Sequence, residues 1–350
     1  MIRNRSQITM SSSPTGSDIE NNMQTDGKGS YRTPWGTTLS RRFVYVLMGC
    51  LFLFLVQLFL LNPAPLKEHR PSQAASREQL TIVMNTFERH DLMLEAIDHY
   101  KRCSVVKHIY VVWSEKDPPP ERIKAKFEGK LHPSVTFRVE TEDSLNSRFR
   151  PIDGPHNDAI FSVDDDMRVP CADLDLAYEV WRGSQRSIVG FMPRVHIRRN
   201  GIWEYRCWWR VWLHGTYSII LTKAAILHHD YFAIYHQSAE QKPVRELVDR
   251  RWNCEDIAMQ FLIANHTSLP PIYVKGNIDD KGVLGGISTN QNIIKAGHMH
   301  DRSSCLSDLE KIYGNMPLVS SRMIVDSAAN GWTNRPSTVY EYLSSDLWKW

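Results

Sequence analysis

The sequence has few cysteines, almost no net charge and no internal repeat. Lysine plus arginine number 42 and aspartate plus glutamate 39 among 350 residues, so charge gives no reason to expect nucleic acid or another polyanion as a partner. The 6 cysteines form no Cys-x-x-Cys pair and no cluster with histidine, which are the patterns typical of structural zinc sites. The chain of 350 residues is long enough for one large domain or two domains of ordinary size.

Long apolar runs are also scarce, and residues 43–61 form the run that is long enough to cross a membrane. These residues carry no charge, and Gln57 is their one clearly polar side chain. As a helix, a run of this length spans a bilayer. Arg41 and Arg42 precede it and charges of both signs follow it, so the positive-inside rule predicts a single-pass type II anchor. A cleaved signal peptide is the rival interpretation, but its apolar core would be shorter and nearer the terminus.

Composition divides the rest of the chain into tails, a stem and one domain. Residues 1–42 are too polar to bury a core and are predicted to be a disordered cytosolic tail, and residues 62–78 a stem. The main domain is placed at 79–325 and a C-terminal tail at 326–350. In the lumen, Asn265-His266-Thr267 would be a usable glycan acceptor. The 5 cysteines beyond the anchor are an odd number, so at least one is unpaired or intermolecular.

Within the domain, strand-like and helix-like segments alternate, which predicts an α/β fold with a mostly parallel central sheet flanked by helices. The predicted strands are 80–87, 108–113, 135–139, 159–163, 187–191 and 217–221, and the predicted helices are 92–100, 121–127, 171–182 and 244–266. A hairpin with its turn at Asn200-Gly201 is predicted within 195–211, and 276–297 is a glycine-rich loop. Trp203 and Trp212 bound a tryptophan cluster that either packs internally or forms an acceptor-facing wall.

Three consecutive carboxylates, Asp164-Asp165-Asp166, follow the predicted strand 159–163. The carboxyl end of a strand in an open α/β sheet is where such folds bind ligands. Asp164 and Asp166 alternate along an extended chain, so both could bind one hard divalent ion that bridges to a diphosphate. The alternative is a solvated acidic turn, and this motif alone does not decide between the two.

Two further clusters allow either a structural or a functional interpretation. Asn253, Glu255 and Asp256 stand at the start of an apolar helical run, where acids also suit the helix dipole and Asn253 could be the cap. The functional alternative is that one of these acids projects into a cleft opposite the metal site. The third cluster is 298–305, in which Arg302 could meet a phosphate or could simply be solvated.

Taken in order, the motifs resemble the exostosin-type C-terminal domain of glycosyltransferase family 64, over roughly residues 79–325. The short build is most similar to the plant member that adds mannose to glycosyl inositol phosphorylceramide, whereas the animal relatives transfer N-acetylhexosamines. The motifs that carry the resemblance are Thr81-Ile82-Val83-Met84-Asn85-Thr86-Phe87-Glu88-Arg89, Val111-Val112-Trp113, Ser144-Leu145-Asn146-Ser147-Arg148-Phe149, Val163-Asp164-Asp165-Asp166, Ile188-Val189-Gly190-Phe191, Asn253-Cys254-Glu255-Asp256-Ile257-Ala258-Met259 and Met316-Pro317-Leu318.

The resemblance implies a Golgi enzyme with a GT-A fold that is retaining, uses Mn²⁺ and takes a nucleotide-sugar donor. It also implies a catalytic acid near the anomeric carbon, Asp256, and a disulfide between Cys254 and Cys305. Such a disulfide would bring Asp256 and Arg302 together. The implied metal ligands are Asp164 and Asp166, and the implied substrate-binding residues are Asn85, Arg89, Ser114, Asn146, Arg148, Asp164, Asp165, Asn253 and Arg302.

Two departures from the animal relatives bear on the donor. Asn85 stands where the short animal members have glutamine, and Ser114 where they have asparagine. Both lie in the base-binding part, so the uridine preference of those relatives does not carry over. The predicted reaction is mannose transfer from GDP-mannose to the sphingolipid head group. A UDP-N-acetylhexosamine transferase acting on a glycan chain and a catalytically silent sugar-binding scaffold remain the alternatives.

Retention of configuration leaves two routes open. Either Asp256 forms a covalent sugar intermediate, or the acceptor attacks from the face that the diphosphate leaves, and the leaving phosphate takes the proton. The second is favoured here, because a double displacement also needs a base that the sequence does not identify.

Overall fold

The structure is a computed structural model that describes residues 38–61, 79–127, 132–284 and 298–327. The chain divides into two compact units, residues 1–73 and 74–350. Most of the predicted cytosolic tail, the stem at 62–78 and the C-terminal tail from residue 328 onward lie outside the described residues.

In the first unit, the apolar run 43–61 lies within helix α1 (Thr38–Leu61). Its side chains from Val44 to Leu55 are exposed. Over the part of the chain that the structure describes, no helix combines the length and the apolar character needed to cross a membrane. The predicted membrane anchor therefore stays a prediction.

The second unit is built on an eight-stranded sheet of order β13-β11-β6-β10-β4-β1-β2-β3. β10 pairs antiparallel with both of its neighbours, and the other pairs in this sheet are parallel. The described strands are β1 (Leu80–Thr86), β2 (Val106–Trp113), β3 (Ser134–Val139), β4 (Ala159–Asp164), β5 (Met167–Arg168), β6 (Val189–Gly190), β7 (Pro193–Arg199), β8 (Ile202–Arg206), β9 (Ile219–Ile220), β10 (Ala224–His228), β11 (Ile272–Val274), β12 (Asp279–Asp280) and β13 (Ile324–Val325). The α/β prediction with a mostly parallel sheet is confirmed.

Helices and two small sheets surround this central sheet. β5 pairs with β12, and β8, β7 and β9 form an antiparallel three-stranded sheet. A short 3-10 helix also spans Leu145–Phe149. Two more 3-10 helices span Ala239–Gln241 and Lys281–Leu284. The remaining described α-helices are α2 (His90–Tyr100), α3 (Glu121–Lys124), α4 (Cys171–Arg182), α5 (Trp208–His214), α6 (Asp230–Gln237), α7 (Lys242–Arg251), α8 (Glu255–Thr267) and α9 (His298–Tyr313).

The centre of the sheet brings the carboxyl ends of β1 and β4 together. Both strands are runs of apolar and β-branched residues that are almost completely buried, as expected where helices cover both faces of a parallel sheet. Their parallel register sets Asn85 opposite Asp164. On the other side of β1, Thr86 pairs with Trp113, the last residue of β2. The three strands therefore end at one edge, where the predicted acids lie.

The segment 244–266, predicted to be mainly helical, belongs to two helices with a corner between them. α7 ends at Arg251 and α8 begins at Glu255. Trp252 and Cys254 between them have φ values of 50° and 79°, which end a right-handed helix. The corner places Asp256 in the first turn of α8, as predicted from the start of the apolar run, but the residue at the N-cap position is Cys254 and not Asn253.

The predicted hairpin is confirmed over β7 and β8, with φ values of 51° and 81° at Asn200 and Gly201 as a two-residue turn of this kind requires. It ends earlier than predicted, because residues 208–214 form α5. The predicted strands 187–191 and 217–221 shorten to β6 and β9, and the predicted helix 121–127 to α3. The strands β10 and β11 and the helices α6 and α9 were not predicted.

Two disulfides close the second unit. Cys254 bonds to Cys305, and Cys103 bonds to Cys171, which settles the pairing that the odd cysteine count left open. The thiol of Cys207 lies outside both disulfides.

Candidate active site

The three acids at the carboxyl end of β4 are held by ion pairs, and Asp165 and Asp166 are buried, so the interpretation as a solvated turn is wrong. Asp165 is fully buried and Asp166 is 8% exposed. Thr86 Oγ1 donates to Asp165 Oδ2 at 2.7 Å. Arg89 lies 2.5 Å from Asp165 Oδ1 through Nη2 and 2.7 Å from Asp166 Oδ2 through Nη1. The guanidinium of Arg89 therefore compensates two of the three neighbouring carboxylates.

Arg148 joins the strand tip to the start of α8. It is buried in the 3-10 helix, and its Nη2 lies 2.5 Å from Asp164 Oδ1 while Nη1 donates to Thr222 Oγ1 at 3.3 Å. Burial opposes its charge, but the carboxylates of Asp164, Glu255 and Asp256 outweigh burial and raise the pKa of Arg148. One cation therefore interacts with acids from both clusters, which are far apart in sequence.

Asp256 and Arg302 form the second buried ion pair of the site. Arg302 Nη1 lies 2.9 Å from Asp256 Oδ2 and 3.2 Å from Oδ1, and it donates to the hydroxyl of Tyr205 at 3.1 Å. The amide of Ile257 donates to Asp256 Oδ1 at 2.7 Å. Burial acts to raise the pKa of Asp256, but Arg302 and this amide hold it below its usual value. Asp256 is therefore an ionised carboxylate.

The Cys254–Cys305 disulfide fastens the two segments that carry this pair. Cys254 is two residues before Asp256, and Cys305 is three residues after Arg302 on α9. The predicted juxtaposition of Asp256 and Arg302 is confirmed. Neither helix alone could hold both charges in place.

Removing this disulfide is expected to destabilise the protein strongly. Cys305→Ser with Cys254→Ser opens a loop with a sequence separation of 51, for which chain entropy corresponds to about 4 kcal/mol. Urea denaturation followed by tryptophan fluorescence measures the loss. Cys207→Ser is the matched control, because its thiol is in neither disulfide. A double variant that unfolds at the wild-type urea concentration would contradict the expectation.

Glu255 belongs to the site although its role was not predicted. Burial, together with the charge of Asp256, raises the pKa of Glu255 to about 7, and the opposing effects of Arg148 and Arg302 are smaller. Its position beside Asp256 in the first turn of α8 was visible in the sequence. The fold places Arg302 beside Asp256, so Asp256 is the one of these two adjacent acids whose pKa is lowered.

The raised pKa of Glu255 makes a prediction about stability and pH. A carboxyl that binds its proton more tightly when folded stabilises the fold at low pH and loses that effect as the pH rises through its folded pKa. The melting temperature of Glu255→Gln relative to wild type should therefore increase between pH 5 and pH 8. Differential scanning fluorimetry measures this difference, with Glu246→Gln, an exposed position on α7, as the control. A difference that is independent of pH would contradict it.

The loop around β12 closes over Asp166 and was also missed. Lys281 N donates to Asp166 O at 2.8 Å, and Lys223 Nζ donates to Asp280 Oδ2 at 2.6 Å. A Cβ at Gly282 would lie 2.3 Å from Asp166 Oδ2, so only glycine lets the backbone approach this carboxylate. The sequence showed a glycine-rich loop here, but nothing in it linked that loop to the acids.

The four predicted polar positions lie in two different surroundings. Asn85 is the second-last residue of β1 and pairs with Asp164, and Ser114 directly follows β2, so both are at the edge of the sheet that carries the acids. Asn253 is buried at the corner before α8, and its Oδ1 accepts from Cys254 N at 2.8 Å. Asn146 is buried and supports the 3-10 helix that carries Arg148, through Tyr235 OH at 2.5 Å, Asp249 Oδ1 at 2.8 Å and Arg245 O at 3.0 Å.

The donor set around Asp164 and Asp166 fits a hard divalent cation. Burial raises the pKa of Asp166, and the neighbouring carboxylates Asp164 and Asp280 add to that rise. A divalent cation bound by carboxylate oxygens would relieve this repulsion, and oxygen ligands suit Mn²⁺. Arg148 contacts Oδ1 of Asp164 and Arg89 contacts Oδ2 of Asp166.

The family model described as "Glycosyl transferase family 64 domain" matches residues 80–330. The chain belongs to glycosyltransferase family 64. It is 39% identical over 272 residues, covering 74% of this chain and 79% of the relative, to glycosylinositol phosphorylceramide mannosyl transferase 1 of Arabidopsis thaliana. The membership confirms the resemblance seen in the sequence, and the protein is a glycosyltransferase.

Two other relatives are named for different activities or families. Glucosamine inositolphosphorylceramide transferase 1 of Oryza sativa subsp. indica is 30% identical over 301 residues, covering 85% of this chain and 39% of that protein. Human exostosin-like 2 is 28% identical over 281 residues, covering 77% of this chain and 83% of that protein. The family therefore includes members whose names specify different sugars.

Proposed function

We propose that this glycosyltransferase moves mannose from GDP-mannose to a glycosyl inositol phosphorylceramide head group, with retention of configuration and with Mn²⁺. The 39% identity to the Arabidopsis mannosyl transferase over 74% of the chain carries the proposal. The charged network of Asp164, Arg148, Asp256 and Arg302 supports it, because acids and arginines of this kind suit a diphosphate leaving group and a cationic sugar.

In the proposed reaction, each side chain has a separate task. Asp164 and Asp166 would hold the cation, which when bound supplies charge neutralisation for the leaving diphosphate. Arg89 and Arg148 orient these carboxylates and offer guanidinium donors to the donor phosphates. Asp165 has its carboxylate fixed by Thr86 and Arg89 and would contact the donor sugar. Asp256, ionised beside Arg302, stabilises positive charge at the anomeric carbon.

We favour attack from the face that the diphosphate leaves. Arg302 Nη1 lies within 3.2 Å of both oxygens of Asp256, and this contact lowers the nucleophilicity of the carboxylate. The leaving phosphate then takes the proton of the acceptor hydroxyl, and no covalent enzyme intermediate forms. Intact-mass measurement after incubation with donor and Mn²⁺ tests this step. Detection of a hexosyl adduct on Asp256 would establish the double displacement instead, with Glu255 as a candidate base.

A ligand panel tests the donor, because a ligand that binds only the folded state raises its melting temperature. The full chain in detergent would be heated with Mn²⁺ and GDP-mannose, GDP, UDP-glucose or UDP-N-acetylglucosamine. GDP-mannose and GDP should stabilise it. Stabilisation by the UDP compounds alone would favour the N-acetylhexosamine alternative. The rate of donor hydrolysis by wild type is also compared with that of Asp166→Ala. If both proteins bind the donor and hydrolyse it at the same rate, the catalytically silent scaffold is favoured.

We further propose a Golgi location with the α1 segment as the membrane anchor and residues from 62 onward in the lumen. Asn265 is exposed at the end of α8, which makes it accessible to glycosylation in that orientation. Expression with and without Asn265→Gln, followed by glycosidase treatment, tests the orientation. A wild-type chain without glycan, and degraded by protease in intact vesicles, would place the domain in the cytosol.

A further inference from the structure

A second group of metal-ligating side chains lies at the opposite end of β4 from the acids. Asp158 immediately precedes β4, and His228, the last residue of β10, pairs with Ala159. His229 follows, and its amide donates to Asp158 O at 2.9 Å. β4 has 6 residues, so this end of the strand is about 20 Å from Asp164. The group is therefore separate from the candidate active site.

The side chains of this group converge. In the described part of the chain, Asp158, His228 and His229 each offer one ligand atom, and these atoms lie within 4.8 Å of one another. His229 Nε2 is 3.5 Å from Asp158 Oδ1 and 3.3 Å from Asp230 Oδ1. His228 Nδ1 is 3.3 Å from Asp230 Oδ2 and also 3.3 Å from the amide of Asp230.

The 3.5 Å between His229 Nε2 and Asp158 Oδ1 is close to the spacing of two ligands around a zinc-class ion. Two ligands that are each about 2.0–2.1 Å from a tetrahedral zinc are about 3.3–3.4 Å apart. Imidazole nitrogen with one carboxylate oxygen is a ligand set that zinc accepts. The backbone amide of Asp230 donates to His228 Nδ1 at 3.3 Å, and Asp230 Oδ2 lies 3.3 Å from the same nitrogen, so Asp230 holds the ring of His228 at the nitrogen other than Nε2.

The group is also reachable from solvent. The side chains of His228, His229 and Asp158 are 21%, 33% and 72% exposed. A cavity of about 230 Å³ opens beside it, lined by His228, Asp230 and His266 among others. A metal ion therefore has an entry path, and water can complete its coordination.

We propose that Asp158, His228 and His229 bind one zinc-class divalent ion, with Asp230 orienting the ring of His228. The ion would tie the segment before β4 to the corner between β10 and α6. It would thereby fasten the far end of the strand that ends in the three acids. Its role is structural, because it lies at the other end of the strand from the acids and Asp256. Nothing in the sequence pattern shows this site, since the ligands come from two segments about 70 residues apart in the chain.

Zinc binding to the full chain in detergent tests the proposal. Excess Mn²⁺ is kept present throughout, so that the oxygen ligands of Asp164 and Asp166 are occupied by the metal that suits them. Zn²⁺ is titrated against a chromogenic chelator, and its effect on the melting temperature is measured in parallel. We expect one tightly bound zinc per chain, and a tetrahedral cobalt absorption band when Co²⁺ replaces it.

The variants His229→Ala and Asp158→Asn should each weaken zinc affinity by at least about tenfold. Both should lose the zinc-dependent rise in melting temperature. His214→Gln, an exposed histidine on α5, is the matched control and should bind zinc as wild type does. The near-ultraviolet circular dichroism of each variant, measured without zinc, shows whether it is folded. If wild type binds no zinc under these conditions, or if both variants bind it as tightly as wild type, the proposal is wrong.

Discussion

Asp166→Asn is expected to lower the rate of sugar transfer by at least about 10³-fold, which corresponds to about 4 kcal/mol of transition-state stabilisation. Asp166 lies at the carboxyl end of β4, packed under Gly282 and paired with Arg89 at 2.7 Å. The amide keeps the size of the side chain but removes the charge that would hold a divalent cation against the leaving diphosphate. The change therefore acts on chemistry more than on folding.

Initial rates of mannose transfer from GDP-mannose, measured across a range of Mn²⁺ concentrations, give the comparison. Asp98→Asn, an exposed carboxylate on α2, is the matched control and should keep wild-type activity. Melting temperatures of both variants establish that they are folded. Activity of Asp166→Asn within tenfold of wild type at every Mn²⁺ concentration would contradict the proposed cation site.

Asp256→Asn is expected to reduce kcat by about 10³-fold with a much smaller change in KM for the donor. Its carboxylate faces developing positive charge only as the sugar–phosphate bond breaks, so its loss raises the barrier more than it weakens ground-state binding. The substitution also leaves Arg302 as a buried, uncompensated cation, since their side chains are 5% and 12% exposed. Breaking a buried pair in this way costs about 3–5 kcal/mol of stability.

Two further variants separate the loss of kcat from the loss of stability that Asp256→Asn causes. Asp256→Glu keeps the charge and should restore most of the stability while remaining slow, because the carboxylate is displaced. Asp308→Asn removes the partner of Arg251 on the partly exposed side of α9, and it should change kcat little. Single-turnover kinetics measures the rate of the chemical step, and urea denaturation measures the free energy of unfolding. A stable Asp256→Asn protein with wild-type kcat would remove Asp256 from the reaction.

Much of the fold could be predicted because the strands carry a strong local signal. β1 and β4 are short, mainly apolar runs that end in polar residues, β2 ends in an apolar run, and α4 has apolar residues at helical spacing. β10 was missed although Ala224-Ala225-Ile226-Leu227 is apolar, because four such residues suit a helix as well as a strand. Its antiparallel direction depends on its two neighbours, β4 and β6, and has no local signature.

The candidate site was also predictable only in the part that carries local sequence motifs. The acids after β4 and the acids at the start of α8 were visible as motifs, and each had a structural alternative that the sequence could not reject. The fold shows that the two groups of acids are neighbours, because the buried guanidinium of Arg148 bonds to Asp164 and is also influenced by Glu255 and Asp256. Lys223, Tyr205 and the loop at Gly282 carry no motif, so only their positions in the fold show their relation to the site.

The sequence by itself determined the fold class, the family and the residue types that the chemistry needs. These depend on periodicity and on short motifs, which are properties of neighbouring residues. The tertiary structure decided which charges meet: Asp256 with Arg302, Arg148 with acids from both clusters, and Asp158 with His228 and His229. The physical reason is that protonation and metal binding depend on distance and burial in space. Both are fixed by strand register, by the break before α8 and by the Cys254–Cys305 disulfide.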